Sequence, residues 1–184
     1  MRRAVVLAAA IAVASVDAPL SQNLLKEAVV ETSLGTFVID LDPAAAPNQV
    51  AYFTKLAAEG AYDNTTFHRM VKYGIVQGGD PLTKDPAKRP QYGTGGLNMV
   101  AAEARAPKIA RGSVAAVLVP GKPDSAGSQF FIAVVDQPAL DGKYTAFGRV
   151  VDGIAAVDAI EASPRNGETP TTRIELKTVR LEKR

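Results

Sequence analysis

Apolar and polar positions alternate along most of this chain with the period of two that marks a half-buried strand, and twice give way to the period of a helix. Phe37, Ile39 and Leu41 share one face of a stretch over 35–41, and an apolar stretch over 28–32 precedes it across Ser33-Leu34-Gly35, so the pair reads as a hairpin. Pro43 ends the second strand, and Pro47 suits the first turn of a helix, where a missing N–H costs little. Val50, Phe53, Leu56 and Ala57 then recur at helical spacing until Gly60, a helix expected to cap one mouth of a barrel. Strand pattern returns over 65–76. The region 80–111 is broken by Pro81, Pro86, Pro90, Gly93, Gly95, Gly96 and Pro107, and so long an irregular connection is usually functional. Strands are expected over 112–118, 128–135 and 145–150, with a loop at 120–124 between the first two. Asp152 is placed to cap a second helix bearing Ile154, Val157 and Ile160 on one face and stopped at Ser163-Pro164. In the last strand Ile174 and Leu176 keep one phase and Val179 and Leu181 the other, which predicts a β-bulge near Lys177-Thr178. The expected fold is all-β-dominated: a closed, eight-stranded antiparallel β-barrel capped by two α-helices. A barrel of that strand number is filled by its own side chains, so a binding site belongs on its outer wall.

Two runs place unusual chemistry on that wall. Over 128–134, Ser128, Phe130, Ile132 and Val134 share a face apolar enough for the interior, while Gln129, Phe131 and Ala133 share the other. An amide beside a phenyl ring is an odd choice for either core or plain solvent. In the earlier run Arg69 and Gln77 fall in the outward phase. Arg69, Gln77, Gln129 and Phe131 together offer hydrogen-bond donors beside an apolar floor, which suits an extended peptide. His68 points the other way and is expected to be buried and hydrogen-bonded.

Composition narrows the chemistry. The chain has 184 residues, 47% of them hydrophobic and 22% charged, with a formal charge of +2 and both signs interspersed. That describes a single globular domain with no electrostatic footprint for nucleic acid. With no Cys and one His there is no thiolate, no disulfide and no Cys/His zinc set, so no metal or other cofactor is expected. At the N-terminus Arg2-Arg3 precede an uncharged run over 4–16 with small residues around Ala14 and Ala18. This reads as a secretory signal peptide over 1–18, with cleavage after Ala18 or Ala14, and the run is too short to span a membrane. Export without stable membrane insertion is expected.

Phe67-His68-Arg69, Gln77-Gly78-Gly79-Asp80, Gly93-Thr94-Gly95-Gly96, Gly127-Ser128-Gln129-Phe130-Phe131, Leu140-Asp141-Gly142-Lys143 and Phe147-Gly148-Arg149-Val150 follow one another in the order of the cyclophilin motifs. Over 27–182 the chain resembles this family of peptidyl-prolyl cis-trans isomerases. The resemblance implies a bacterial enzyme, which together with the leader places it in the periplasm, a monomer without cofactor, acting on X–Pro bonds of unfolded or newly exported polypeptides. It implies Arg69 as the catalytic residue, Phe131 as the floor of a proline pocket with Ile75 and Leu140 as walls, and Gln77 and Gln129 as holders of the substrate backbone. Tyr144 stands where the family has a His. Gly74 stands where it has a Phe, so either Tyr73 supplies the aromatic surface or the pocket is shallower. Residues 116–118 also depart from the family pattern. Gly93-Thr94-Gly95-Gly96 lacks the Lys-Ser/Thr and the helix of a phosphate loop and reads as a turn lining the groove.

The chemistry asked of such a site is modest. Rotation about a peptide C–N bond costs roughly 18–20 kcal/mol, and the two isomers of an X–Pro bond differ by only about 0.5–1 kcal/mol. A catalyst need only bind the twisted amide better than the planar forms. A guanidinium aimed at the prolyl nitrogen, whose lone pair returns on twisting, would do that. A proline-binding holdase with weak turnover and a structural barrel of an envelope assembly are the alternatives.

Overall fold

The computed structural model describes residues 25–103 and 108–183, so the leader expected over 1–18 lies outside the described residues. β1 (Leu25–Thr32) and β2 (Gly35–Leu41) form the expected hairpin, its turn closed by the Thr32 hydroxyl, which donates to the Gly35 carbonyl and accepts from Leu34 N. α1 (Pro47–Ala58) starts on its proline as expected and buries Val50, Phe53 and Ala57. No side chain of its own caps it. The Glu103 carboxylate instead accepts from Asn48 N and Gln49 N at 2.8 and 2.7 Å, an anion at the positive end of a helix.

The rest of the chain supplies β3 (Thr65–Thr66), β4 (Arg69–Met70), β5 (Ile75–Gly78), β6 (Ser113–Ala116), β7 (Phe130–Ala133), β8 (Ala146–Asp152), α2 (Ile154–Glu161), β9 (Arg165–Asn166), β10 (Thr169–Pro170) and β11 (Glu175–Lys183). Two short 3-10 turns, Pro81–Lys84 and Pro86–Gln91, give the long connection after β5 its own structure. Nine strands make one antiparallel sheet in the order β3-β11-β1-β2-β8-β6-β7-β5-β4, and β9 and β10 pair separately. The bulge is where the phase slip placed it: Glu31 faces Thr178 and Thr32 faces Leu176, leaving Lys177 over.

Three expectations are corrected. The sheet is not an eight-stranded cylinder closed by a ladder, because the stretch 65–76 is not one strand. β3 pairs with β11 and β4 pairs with β5, at opposite ends of the order, and only the backbone of Phe67 and His68 links them. Each of those residues still donates to one flank, Phe67 N to Ile174 O and His68 N to Gln77 O. A single segment thus leaves one neighbour for another. Second, 71–74 is a turn and not strand, with Gly74 N bonded to Val71 O. Third, Asp152 closes β8 and does not cap α2. The cap is Gly153 at φ +70, where a Cβ would run into the Thr36 carbonyl.

Strand alternation divides the apolar side chains into two clusters on opposite faces. The inner one holds Phe53 against Tyr62 and Phe147, ring centroids 5.0 and 5.3 Å apart, with Phe130 edge-on to Phe53, Tyr62 and Phe67. The outer one is small: Ile75, Ile109, Ala115, Phe131 and Ala133, flanked by Val71, Val117, Leu140 and Tyr144. Phe130 and Phe131, neighbours in sequence, therefore serve different clusters.

Candidate active site

Register places the outer-face residues in a row. β4 sets Arg69 opposite Gln77, β5 sets Gln77 opposite Phe131, and β6 sets Ala115 opposite Phe131. Directly opposed residues share a face, so cation, amide and ring stand side by side on three adjacent strands. Tyr144 meets Phe131 edge-on, centroids 5.1 Å apart at 87°, and Ile75 and Leu140 stand beside the ring. A groove of about 1090 Å³ runs from this apolar floor past Arg69 and Gln77 to Thr94, Leu97, Asn98 and residues 117–120.

A chain of hydrogen bonds fixes the guanidinium. Gln129 Nε2 donates to the Gly95 carbonyl at 2.7 Å, Gln77 Nε2 to Gln129 Oε1 at 2.9 Å, and Arg69 Nη1 to Gln77 Oε1 at 3.1 Å. A carbonyl can only accept, so Gly95 dictates which way both amides face, and the last acceptor is presented to Arg69. From the other side Arg69 Nε donates to Glu168 Oε2 at 2.7 Å. The Gly95 end is held in turn by Asp80. This fully buried carboxylate accepts from Leu82 N, Gly93 N and Gly95 N. A Cβ on Gly95 would collide with Asp80, and one on Gly127 with the Gly96 carbonyl. The glycine-rich turn lines the groove because nothing larger lets it approach Asp80 and Gln129.

Arg69, Gln77, Phe131, Ile75, Leu140 and Tyr144 all line the groove. Gln129 and Tyr73 do not. Gln129 is fully buried, and its bonds to Gln77 and Gly95 engage both ends of its amide, which places it behind Gln77. Tyr73 occupies a turn at φ +53 and is 70% exposed, with the Lys72 ammonium 5.0 Å from its ring centroid. Its N–H donates to Glu161 and its carbonyl accepts from Gln137 Nε2, which fix the turn; Val71 and Gly74 line the groove in that region. Glu168 was not foreseen. The only sign of it is Asn166-Gly167, a hairpin turn signal, and its docking depends on Met70 N donating to the Glu168 carbonyl at 2.7 Å. Among the described residues no three His, Cys, Asp or Glu side chains gather to hold a metal ion.

His68 is buried, as expected, but it lines the groove with Arg69 instead of pointing away from it, and neither ring nitrogen has a hydrogen-bond partner. Burial lowers its pKa from the ordinary 6.5, against an opposing pull from Asp80. Above 6.5 the ring is neutral whether the chain is folded or not. Below it the unfolded chain takes up the proton first, so stability falls as the pH drops from 6.5 toward the lowered folded value. His68→Gln is expected to lose less Tm than the wild type between about pH 7 and about pH 5. Parallel melting curves across that range would show the lone His to be irrelevant.

A family model described as cyclophilin type peptidyl-prolyl cis-trans isomerase/CLD matches residues 28–181. A peptidyl-prolyl cis-trans isomerase-like 1 from Neurospora crassa is 36% identical over 156 residues, covering 84% of this chain and 93% of its own. A probable peptidyl-prolyl cis-trans isomerase from Brucella suis is 39% identical over 132 residues, 69% of this chain and 67% of its own. A cyclophilin type peptidyl-prolyl cis-trans isomerase from Cryptosporidium parvum, crystallised in the presence of the dipeptide Ala-Pro, superposes with a TM-score of 0.75 at 29% identity. That superposition covers 86% of this chain and 99% of the other. With its motifs, its two-faced sheet and its matches over nearly the whole described length in agreement, the chain belongs to the cyclophilin-type peptidyl-prolyl cis-trans isomerases, enzymes that speed rotation about X–Pro peptide bonds.

Proposed function

We propose that the groove takes an extended, proline-containing polypeptide with its proline ring over Phe131, and that Arg69 stabilises the twisted imide. The observation that carries this reading is the row Arg69, Gln77, Phe131 with a guanidinium clamped from both sides. Gln77 and Glu168 each engage one edge of the fork, leaving its remaining N–H groups for the substrate. Ile75, Leu140 and Tyr144 wall the ring, and Gln77 steadies the backbone beside it. As the amide twists, the prolyl nitrogen regains its lone pair and accepts from Arg69, an interaction neither planar isomer offers. A donor already in place needs no reorganisation at that moment. The Ala-Pro dipeptide used with the Cryptosporidium parvum protein is a minimal ligand of this kind.

The finer features belong to the same proposal. The leader directs the chain to a bacterial periplasm, where the mature monomer acts on unfolded and newly exported proteins and supports their folding. Exchange NMR on an Xaa-Pro peptide tests the site: catalytic amounts of protein should broaden the proline resonances, with peptide-induced shifts centred on Gln77, Phe131 and Gly95. Binding without exchange would favour the holdase reading, and shifts elsewhere would displace the site. Fractionation of cells producing the full chain tests export, which fails if the protein stays in the cytoplasm at full length.

A further inference from the structure

We propose that Arg89 selects substrates with a glutamate near the proline, drawing that side chain into a cavity that opens off the groove. This inference rests on the groove being the substrate site. The cavity, about 170 Å³, is bounded by Phe67, Pro86, Tyr92 and Ile174, with Arg89 and Arg173 among its walls. It shares His68, Arg89, Tyr92 and Thr169 with the groove, so a peptide in one can reach the other.

Charge accounting singles out Arg89. Arg69 is paired with Glu168. The Arg173 guanidinium donates to the carbonyls of Thr83 and Asn64 and stands 3.6 Å from Glu175. Arg89 Nη2 donates to the Pro170 carbonyl at 3.0 Å, and no carboxylate of the described residues lies within ion-pair distance. Among the described residues no acidic side chain lines the cavity, and Glu168, the one acidic residue of them lining the groove, is already taken by Arg69. Arg89 is therefore a cation anchored by one backbone carbonyl with most of its fork unspent.

The anchor matters for selectivity. Arg89 belongs to the turn Pro86–Gln91, which Asp85 caps by accepting from Ala87 N, and the bond to Pro170 ties that turn to β10. A guanidinium held in place loses less freedom on meeting a carboxylate than a free lysine would. A void of about 150 Å³ holds a benzene-sized group, so the cavity has room for the methylene stem of a glutamate.

The test is a set of peptides with Glu, Gln or Lys at each of three positions on either side of one proline. The readout is the ratio of kcat/KM for Glu over Lys. At one position the ratio is expected to reach about fivefold at low salt, the range of an exposed ion pair, and to shrink as salt rises. Arg89→Ala should bring the ratio near one, Arg89→Glu should invert it, and Arg89→Lys should restore part of it. A ratio near one at every position in the wild type, or a ratio that survives Arg89→Ala, overturns the proposal. Failure of the groove reading looks different: Arg69→Ala would then leave turnover of the Gln peptide unchanged.

Discussion

Replacing Arg69 by alanine is expected to lower kcat/KM for an Xaa-Pro peptide by about 10²–10³-fold, the loss typical of removing one preorganised donor to a transition state. The fold should barely notice. The Arg69 side chain is 42% exposed and its ion-pair partner Glu168 is 52% exposed, and such a pair contributes about 0–1 kcal/mol. Function and stability therefore separate cleanly at this position. Arg69→Lys keeps the charge but not the planar fork that bonds Glu168 through Nε and Gln77 through Nη1, so it should recover only a small part of the rate. Gln77→Leu should cost less than Arg69→Ala, because it loosens the guanidinium without removing it. An Arg69→Ala protein that melts like the wild type and turns over within about threefold of it would leave differential binding by this cation without support.

What the sequence disclosed about this site was a set of directions. Period two separated Phe130 from Phe131 and set Arg69, Gln77 and Phe131 on one face, and register then made them neighbours. Direction does not say what lies on top. Gln129 shares the outward phase, yet the glycine-rich turn covers it and Gly95 takes its amide. That cover depends on Asp80 and on backbone approaches only glycines allow, neither visible in alternation. Tyr73, offered as a stand-in for the family's aromatic at Gly74, belongs to a turn at positive φ and does not line the groove. Glu168 lies 99 residues from Arg69, and nothing local in either segment marks the pairing. The bulge at Lys177 was legible because a phase slip is itself a sequence pattern, whereas the break at Phe67-His68 hides a change of partner strand, with Phe67 in the inner core although its phase is that of Arg69.

The two adjacent phenylalanines give the sharpest contrast between fold and function. Phe130→Ala is expected to cost about 3–5 kcal/mol, the range for truncating a buried aromatic. Phe130 is fully buried and meets Phe53, Tyr62 and Phe67 edge-on with centroids 6.0–6.2 Å apart, so the void opens where the core has least freedom to collapse. At roughly 2–4 °C per kcal/mol for a domain of this size, Tm should fall by about 10 °C, while the fraction still folded keeps most of its turnover. Phe131→Ala reverses the balance. Its ring belongs to the small outer cluster and lines the groove, so stability should fall less while kcat/KM per folded molecule collapses with the floor of the proline pocket. Phe131→Leu, which refills part of that floor, should recover turnover more than it recovers Tm. Melting curves and turnover per folded protein for the three variants decide the matter. Equal losses of rate per folded molecule at 130 and 131 would mean that the two faces of β7 are not divided between core and catalysis.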